Sequence, residues 1–275
     1  MTPKKFITLF VVALGMMIPG ACDKTGPSTS EEEAKERLKE LLNAEDKLLQ
    51  NQTIRSSHMG KTMKYTVWLP GGYDETKEYP FLYLLHGYGD DNNSWTTPGS
   101  PANKGNAAVI AKDYLAKKGV PMVIIMPDGL VSFYQGSWEQ YFHEELIPEV
   151  EKTYHCNGKR AIAGLSMGGY GTLYNVLNHP GKFTYGYAMS PATDLEGFGK
   201  LVKAQKDPLV FPPITLESGT GDMTVSISSV RDFSSMLTEN GVRHELIERD
   251  GGHTWPFWNA CLEKALKKIG DSFGQ

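Results

Sequence analysis

Three side chains in this sequence have the types and order for nucleophilic catalysis: Ser166, Asp222 and His253. Ser166 lies in Gly164-Leu165-Ser166-Met167-Gly168, a G-x-S-x-G pattern with a short apolar run before it and a helix-compatible one after it. A serine hydroxyl is a weak nucleophile until a base takes its proton and a carboxylate orients that base. Where a strand delivers the serine onto a sharp turn and a helix leaves at once, the chain order is serine, acid, histidine. Of the histidines after Ser166, His179 precedes Pro180 at a helix end and His244 sits inside a strand pattern. His253 occupies the glycine-rich loop Asp250-Gly251-Gly252-His253-Thr254-Trp255, between the last strand and the last helix, and is the expected base. The expected acid is Asp222, closing Ser218-Gly219-Thr220-Gly221-Asp222 after a strand; Asp194, one strand earlier, is the alternative. Glu217 falls within that strand, and Asp250 is too close to His253 in sequence to orient it easily.

An attacked carbonyl develops an oxyanion that needs two backbone donors. One is the N–H of Met167, the residue after the nucleophile. The other is the N–H of Tyr88 in His86-Gly87-Tyr88-Gly89, where the glycines let the backbone approach a substrate. The His86 ring is read as a brace for this loop. Aromatic residues near the same loops, Trp95, Tyr134 and Trp255 foremost, with Phe133, Trp138 and Phe257 beside them, are candidates for a platform under a sugar or phenolic ring. Trp258, inside the last helix, is read as packing.

These residues need a sheet whose strand ends converge. Residues 81–85 and 120–126 are continuous apolar runs, as expected of parallel strands buried on both faces. Further strand patterns cover 183–189, 212–217 and 243–248; helical patterns cover 105–118, 139–154, 225–240 and 255–269. Strands alternating with helices predict an α/β domain with a mainly parallel central sheet flanked by helices. Two β-like runs within 53–69, around Met59-Gly60-Lys61, predict an opening hairpin.

Ahead of this domain, Lys4 and Lys5 precede an apolar run over 6–18, too short to span a membrane comfortably and suited to a signal peptide over 1–21. Pro19-Gly20-Ala21-Cys22 puts Cys22 where a bacterial lipoprotein carries its lipidated cysteine; ordinary cleavage, leaving a secreted or periplasmic protein, is the alternative. Residues 22–50 read as a tether followed by a charged helix over 31–50, and 51–275 as the catalytic domain. Cys156 and Cys261 could pair once exported, though buried free thiols are the plainer reading. A net charge of −4 with no basic block argues against a nucleic-acid partner. His143-Glu144-Glu145 reads as a polar helix face; no metal-ligand spacing or phosphate-binding fingerprint is visible, and serine chemistry needs no cofactor.

On Leu85-His86-Gly87-Tyr88-Gly89, Gly164-Leu165-Ser166-Met167-Gly168-Gly169 and Gly251-Gly252-His253-Thr254-Trp255, the chain resembles the esterase-D-like branch of the α/β-hydrolases, over residues 60 to 270 or so. That branch holds feruloyl and acetyl xylan esterases, with enterochelin esterase and mycolyltransferases as relatives. The resemblance implies the α/β-hydrolase fold and maps nucleophile, acid and base onto Ser166, Asp222 and His253. Together with the expected export, it implies a serine esterase acting on feruloyl or acetyl esters of plant cell-wall polysaccharide. Acyl transfer, short-chain (thio)ester hydrolysis and a non-catalytic carbohydrate-binding lipoprotein are the alternatives.

Overall fold

The computed structural model describes residues 44–97, 104–117 and 119–274. The expected leader over 1–21, Cys22, the tether and most of the charged helix lie outside the described residues. The chain lays down β1 (Lys47–Arg55), β2 (Thr62–Leu69), β3 (Tyr79–Leu85), α1 (Ala107–Ala116) and β4 (Val123–Pro127). Then come α2 (Ser137–Gln140), a π-helical stretch (Tyr141–Leu146) and α3 (Ile147–Thr153). β5 (Cys156–Leu165), α4 (Met167–Asn178), β6 (Tyr185–Met189), α5 (Leu195–Ala204) and a 3-10 turn (Pro208–Val210) follow. β7 (Ile214–Gly219), α6 (Ile227–Glu239), β8 (His244–Arg249) and α7 (Trp255–Phe273) end the domain. The described strands form one sheet in the order β1-β2-β4-β3-β5-β6-β7-β8. β2 runs antiparallel to β1 and β4, whereas β3 through β8 are mutually parallel, giving the expected α/β-hydrolase fold with its opening hairpin.

β3 explains the layering. It is buried at every position, and a strand sends successive side chains to opposite faces. Phe81, Tyr83 and Leu85 therefore join Phe142, Leu173 and Val176 on one side, while Leu82 and Leu84 join Ile110, Leu262 and Leu266 on the other. A strand that is apolar throughout is stable only with helices over both faces, which the α/β alternation supplies. Cys156 and Cys261 are free thiols, Cys261 buried as expected and Cys156 only partly so, and burial pushes the Cys156 thiol up to about 12.

Three stretches depart from the expected elements. Lys47–Gln50, read as the end of the charged helix, is strand, with Leu48 opposite Trp68 and Leu49 opposite Val67. The Trp68 indole N–H donates to Asp46 at 2.8 Å and fastens the start of this edge; pairing with β2 overrides a helical leucine spacing because intrinsic propensity is weak. The stretch after β6, for which the sequence patterns give no element, contains α5, whose N-cap Asp194 accepts the Gly197 N–H at 2.9 Å. The helix expected over 139–154 is present and runs without interruption from Ser137 to Thr153, but it contains a π-helical stretch. There His143 reaches Asn175 on α4 (2.8 Å) and Glu145 accepts Ser56 Oγ and the Ser57 N–H of the β1–β2 turn. The polar face, read as such, ties the helix to two neighbours.

Candidate active site

β5 ends at Leu165 and α4 begins at Met167, leaving Ser166 alone in the turn with φ 52° and ψ −114°. Such backbone costs a non-glycine residue about 1–3 kcal/mol and persists only where the surroundings impose it. Here the Ser166 N–H donates to Met189 O and its C=O accepts the Tyr170 N–H, both at 2.9 Å. The glycines on either side are required by contact. A Cβ on Gly164 would stand 2.4 Å from Gly168 O, and one on Gly168 would stand 2.5 Å from Leu85 O. Strand and helix touch on both flanks of the serine, and the G-x-S-x-G spacing is the record of that contact.

Asp222 and His253 meet at the same C-terminal edge of the sheet. His253 Nδ1 lies 2.7 Å from Asp222 Oδ2, and the carboxylate is fully buried. Asp222 Oδ1 accepts the Thr224 and Val225 N–H groups at 2.9 and 2.8 Å. Three donors compensate the burial of this charge. With the Nδ1 proton directed at Asp222, the bare nitrogen of His253 is Nε2, the one available to accept a proton. The two loops are laced to each other along the backbone, Gly221 N–H to Gly251 O and Thr220 N–H to Arg249 O, each at 3.0 Å. The His253 ring meets the Trp258 ring edge-on at 4.9 Å, and the Trp258 N–H donates to Ser190 Oγ at 3.3 Å. Asp194, the alternative acid, caps α5; the carboxylate that reaches His253 is that of Asp222.

Beneath these loops Glu217 of β7 is buried with Tyr187, Arg249 and Lys264 all donating to its carboxylate. Burial opposes its ionisation, but the Lys264, Tyr187 and Arg249 donors outweigh it and hold the carboxyl below its ordinary range. Arg249 also donates to Phe257 O at 2.6 Å and lies 3.6 Å from the Phe257 ring centre, so β7, β8 and α7 are fastened together directly behind the Asp222–His253 pair.

On the other flank the backbone of residues 86–88 runs beside Ser166: a Cβ on Gly87 would stand 3.7 Å from the Ser166 Cβ. The Tyr88 N–H meets no acceptor among the described residues. The Met167 N–H opens α4, where helix geometry provides no partner within the helix. Both expected oxyanion donors are thus unclaimed. His86 braces the loop, as read, through hydrogen bonds to Gly87 and Gly129.

The expected aromatic platform needs correction. Trp95 and Tyr134 are 1% and 0% exposed. The Trp95 N–H donates to Leu85 O at 3.1 Å and the Tyr134 hydroxyl to His86 O at 2.8 Å, so both support the loop from below and offer no face to a substrate. Trp138 is buried likewise, and Trp255 is half-buried with its ring edge-on to Trp95 and Trp258. The rings that face solvent are Tyr88, 66% exposed, and Phe133, 37% exposed, 6.2 Å apart. Phe133 rests edge-on against Tyr170, on the first turn of α4, at 5.5 Å. Position on a loop, which a sequence shows, does not tell which way a ring turns. The glycines at 87 and 89, which free the backbone around Tyr88, were the available signal.

The family described as Putative esterase matches residues 56–269. An endo-1,4-β-xylanase/feruloyl esterase of Xylanibacter ruminicola is 28% identical over 80% of this chain, which spans 31% of that protein's length. An acetyl esterase of Caldicellulosiruptor saccharolyticus is 26% identical over 69% of this chain and 84% of its own. Among solved structures, a ferulic acid esterase superposes with a TM-score of 0.74 and 26% identity, over 84% of this chain and all of the other. A match that begins in the hairpin turn and runs into the last helix takes in every strand from β2 to β8, and by it this chain belongs to the Putative esterase family of the α/β-hydrolases.

Proposed function

We propose that this protein is a serine carboxylic-ester hydrolase that works through an acyl-enzyme on Ser166, with feruloyl or acetyl esters of xylan-type polysaccharide as its substrates. The observation that carries the reading is the 2.7 Å hydrogen bond between His253 Nδ1 and buried Asp222, at the sheet edge where Ser166 stands in its strained turn. Ser166 Oγ attacks the ester carbonyl while His253 Nε2 takes its proton, and Asp222 stabilises the imidazolium that forms. The carbonyl oxygen, now negative, accepts the Tyr88 and Met167 N–H groups. The tetrahedral species collapses, the C–O bond to the alcohol breaks, and Nε2 returns the proton to the departing oxygen. Water then attacks the acyl-enzyme with His253 again as base, releasing the carboxylic acid and restoring Ser166. The feruloyl and acetyl esterases among the relatives support the substrate class, and the exposed Tyr88 and Phe133 rings suit an aromatic acyl group.

The test is hydrolysis by the protein lacking residues 1–22, on methyl ferulate, acetylated xylan and short p-nitrophenyl esters, beside a Ser166→Ala variant. Ferulate release that disappears in the variant supports a feruloyl esterase; acetate release alone moves the assignment to xylan deacetylation. Turnover of none of these esters above the variant sinks the hydrolase reading in favour of acyl transfer or binding.

Export with a lipid anchor at Cys22 is part of the proposal, supported by Lys4 and Lys5, the apolar run over 6–18 and the small residues before Cys22. Expressed in a bacterium at full length, the protein is expected to sediment with membranes and the Cys22→Ala variant to be soluble. Equal partition of the two removes the anchor.

A further inference from the structure

We propose that His86 is a positioning residue of the oxyanion site: its ring sets the direction of the Gly87–Tyr88 peptide and so aims the Tyr88 N–H. The proposal rests on the reading of that N–H as an oxyanion donor.

His86 follows β3 directly and is 1% exposed. Its Nδ1 lies 2.7 Å from Gly87 O, and its Nε2 lies 2.7 Å from the Gly129 N. A carbonyl oxygen only accepts and a backbone N–H only donates, so the proton is on Nδ1 and Nε2 is bare. Asp128 Oδ1, 3.6 Å from Nε2, is outside hydrogen-bond range. The ring is therefore held in one orientation, gripped at Nε2 by the loop after β4 and presenting its Nδ1–H to Gly87. The grip is firm, because the His86 C=O in turn accepts the hydroxyl of buried Tyr134.

The consequence follows from peptide geometry. A trans peptide is planar, so the Gly87 C=O and the Tyr88 N–H point in opposite directions. The Gly87 oxygen receives His86 Nδ1–H and, at 3.2 Å, the Asp90 N–H. Pinning the oxygen pins the N–H, which meets no acceptor among the described residues and belongs to the segment that passes beside Ser166. The pin is needed because glycine at 87, whose ψ turns this peptide, gives the backbone wide freedom there. Without the Nδ1 donor, rotation would carry the N–H away from the forming oxyanion.

The two ring nitrogens have separable jobs. A brace for the β3–β4 junction works through Nε2, whereas aiming the oxyanion donor works through Nδ1. Asparagine places an amide N–H near the Nδ1 position, and glutamine places its amide near Nε2. In the protein lacking residues 1–22, His86→Gln is expected to stay folded while its kcat on p-nitrophenyl acetate falls about 100-fold, the scale of a lost oxyanion donor, with KM changed less than threefold. His86→Asn is expected to recover at least tenfold of that kcat, although it gives up the Gly129 contact. Affinity for a phenylboronic acid, which forms a tetrahedral adduct on serine, should fall in the glutamine variant in step with kcat/KM. Equal kcat in the two variants, the reverse order, or loss of rate without loss of boronate affinity overturns the proposal while leaving the serine esterase standing. A parent protein that turns over no ester and takes no fluorophosphonate label at Ser166 overturns both.

Discussion

On one side of Ser166 the loops after β7 and β8 hold two polar groups, Asp222 and His253, through a set of hydrogen bonds to their reacting atoms; on the other the loops after β3 and β4 hold rings, through burial, left-handed backbone and single hydrogen bonds from the Trp95 and Tyr134 tips. The first side is supported by paired charge, Glu217 with Arg249 and Lys264. The second is supported by aromatic packing, with Trp138 stacked on Phe142 at 4.9 Å and edge-on to Tyr134 at 4.6 Å. Its loop places Leu130, Phe133 and Tyr134 at positive φ. Charge position matters to a fraction of an ångström when a proton is transferred, and directional bonds supply that. On the proposed reading the second surface receives the acyl group, which has to be shaped for more than aimed at, and packing supplies shape.

The sharpest way to break this contrast is on the polar side. Asp222→Asn is expected to keep the loop but lose about 10⁴-fold in kcat, because an amide no longer enforces the His253 tautomer with Nε2 bare. Asp194→Ala, which removes the α5 cap, should leave kcat within twofold and cost about 1 kcal/mol of stability. Steady-state kinetics and urea unfolding of the two variants decide it. A kcat deficit in Asp194→Ala comparable to that in Asp222→Asn would reassign the acid.

The supports differ in their response to acid. His143, between the π-helical stretch and α4, is pushed down from the ordinary 6.5 to about 4 by burial first and then by the nearby His179. The His143 and His179 ring centres are 4.0 Å apart, and His179 Nε2 lies 2.6 Å from Glu139. In the native state His143 stays neutral, while the unfolded chain takes up the proton near 6.5. Stability from this group is full above 6.5 and is lost as pH falls toward about 4, by up to about 3 kcal/mol. Glu217 has the opposite sign of charge and a lowered native value. Its contribution is full above the ordinary carboxylate range and disappears only as pH falls through that lowered value. Between pH 6.5 and 4.5, of these two supports only the His143 side weakens. His143→Gln keeps an N–H for Asn175 and should flatten the stability profile in that window. An unchanged slope would mean that another group carries the acid response.

How much of this was readable beforehand divides along the same line. The contact between Asp222 and His253 was legible, because a proton relay demands particular residue types in a particular order after the serine, and few polar residues fell on the right strand ends. The sheet was legible from continuous apolar runs such as 81–85. The fates of Trp95 and Tyr134 were not: each is decided by a carbonyl at the end of β3, Leu85 O or His86 O, that only the folded loops bring within reach. Lys47–Gln50 carried a helical leucine spacing, and only pairing with β2 turned it into strand. The π-helical turn was invisible for a similar reason, since its contacts run to Asn175 and to Ser56 and Ser57. Residue identity speaks for groups that react; it says little about groups whose orientation is set by a distant neighbour.

The smallest effect tests the aromatic side. Phe133 sits at φ 51° with its ring between Tyr88 and Tyr170. Phe133→Ala is expected to lower kcat/KM for methyl ferulate about tenfold, the scale of one aromatic contact, and to leave p-nitrophenyl acetate within twofold. Phe133→Gly should lose the same selectivity yet be more stable than the alanine variant by about 1 kcal/mol, because left-handed backbone is costly only with a Cβ. Equal stability of the two variants would mean that the left-handed backbone at 133 carries no strain. A uniform loss on both esters would make Phe133 part of the serine's own surroundings, and the division between an aimed side and a shaped side would no longer hold at this position.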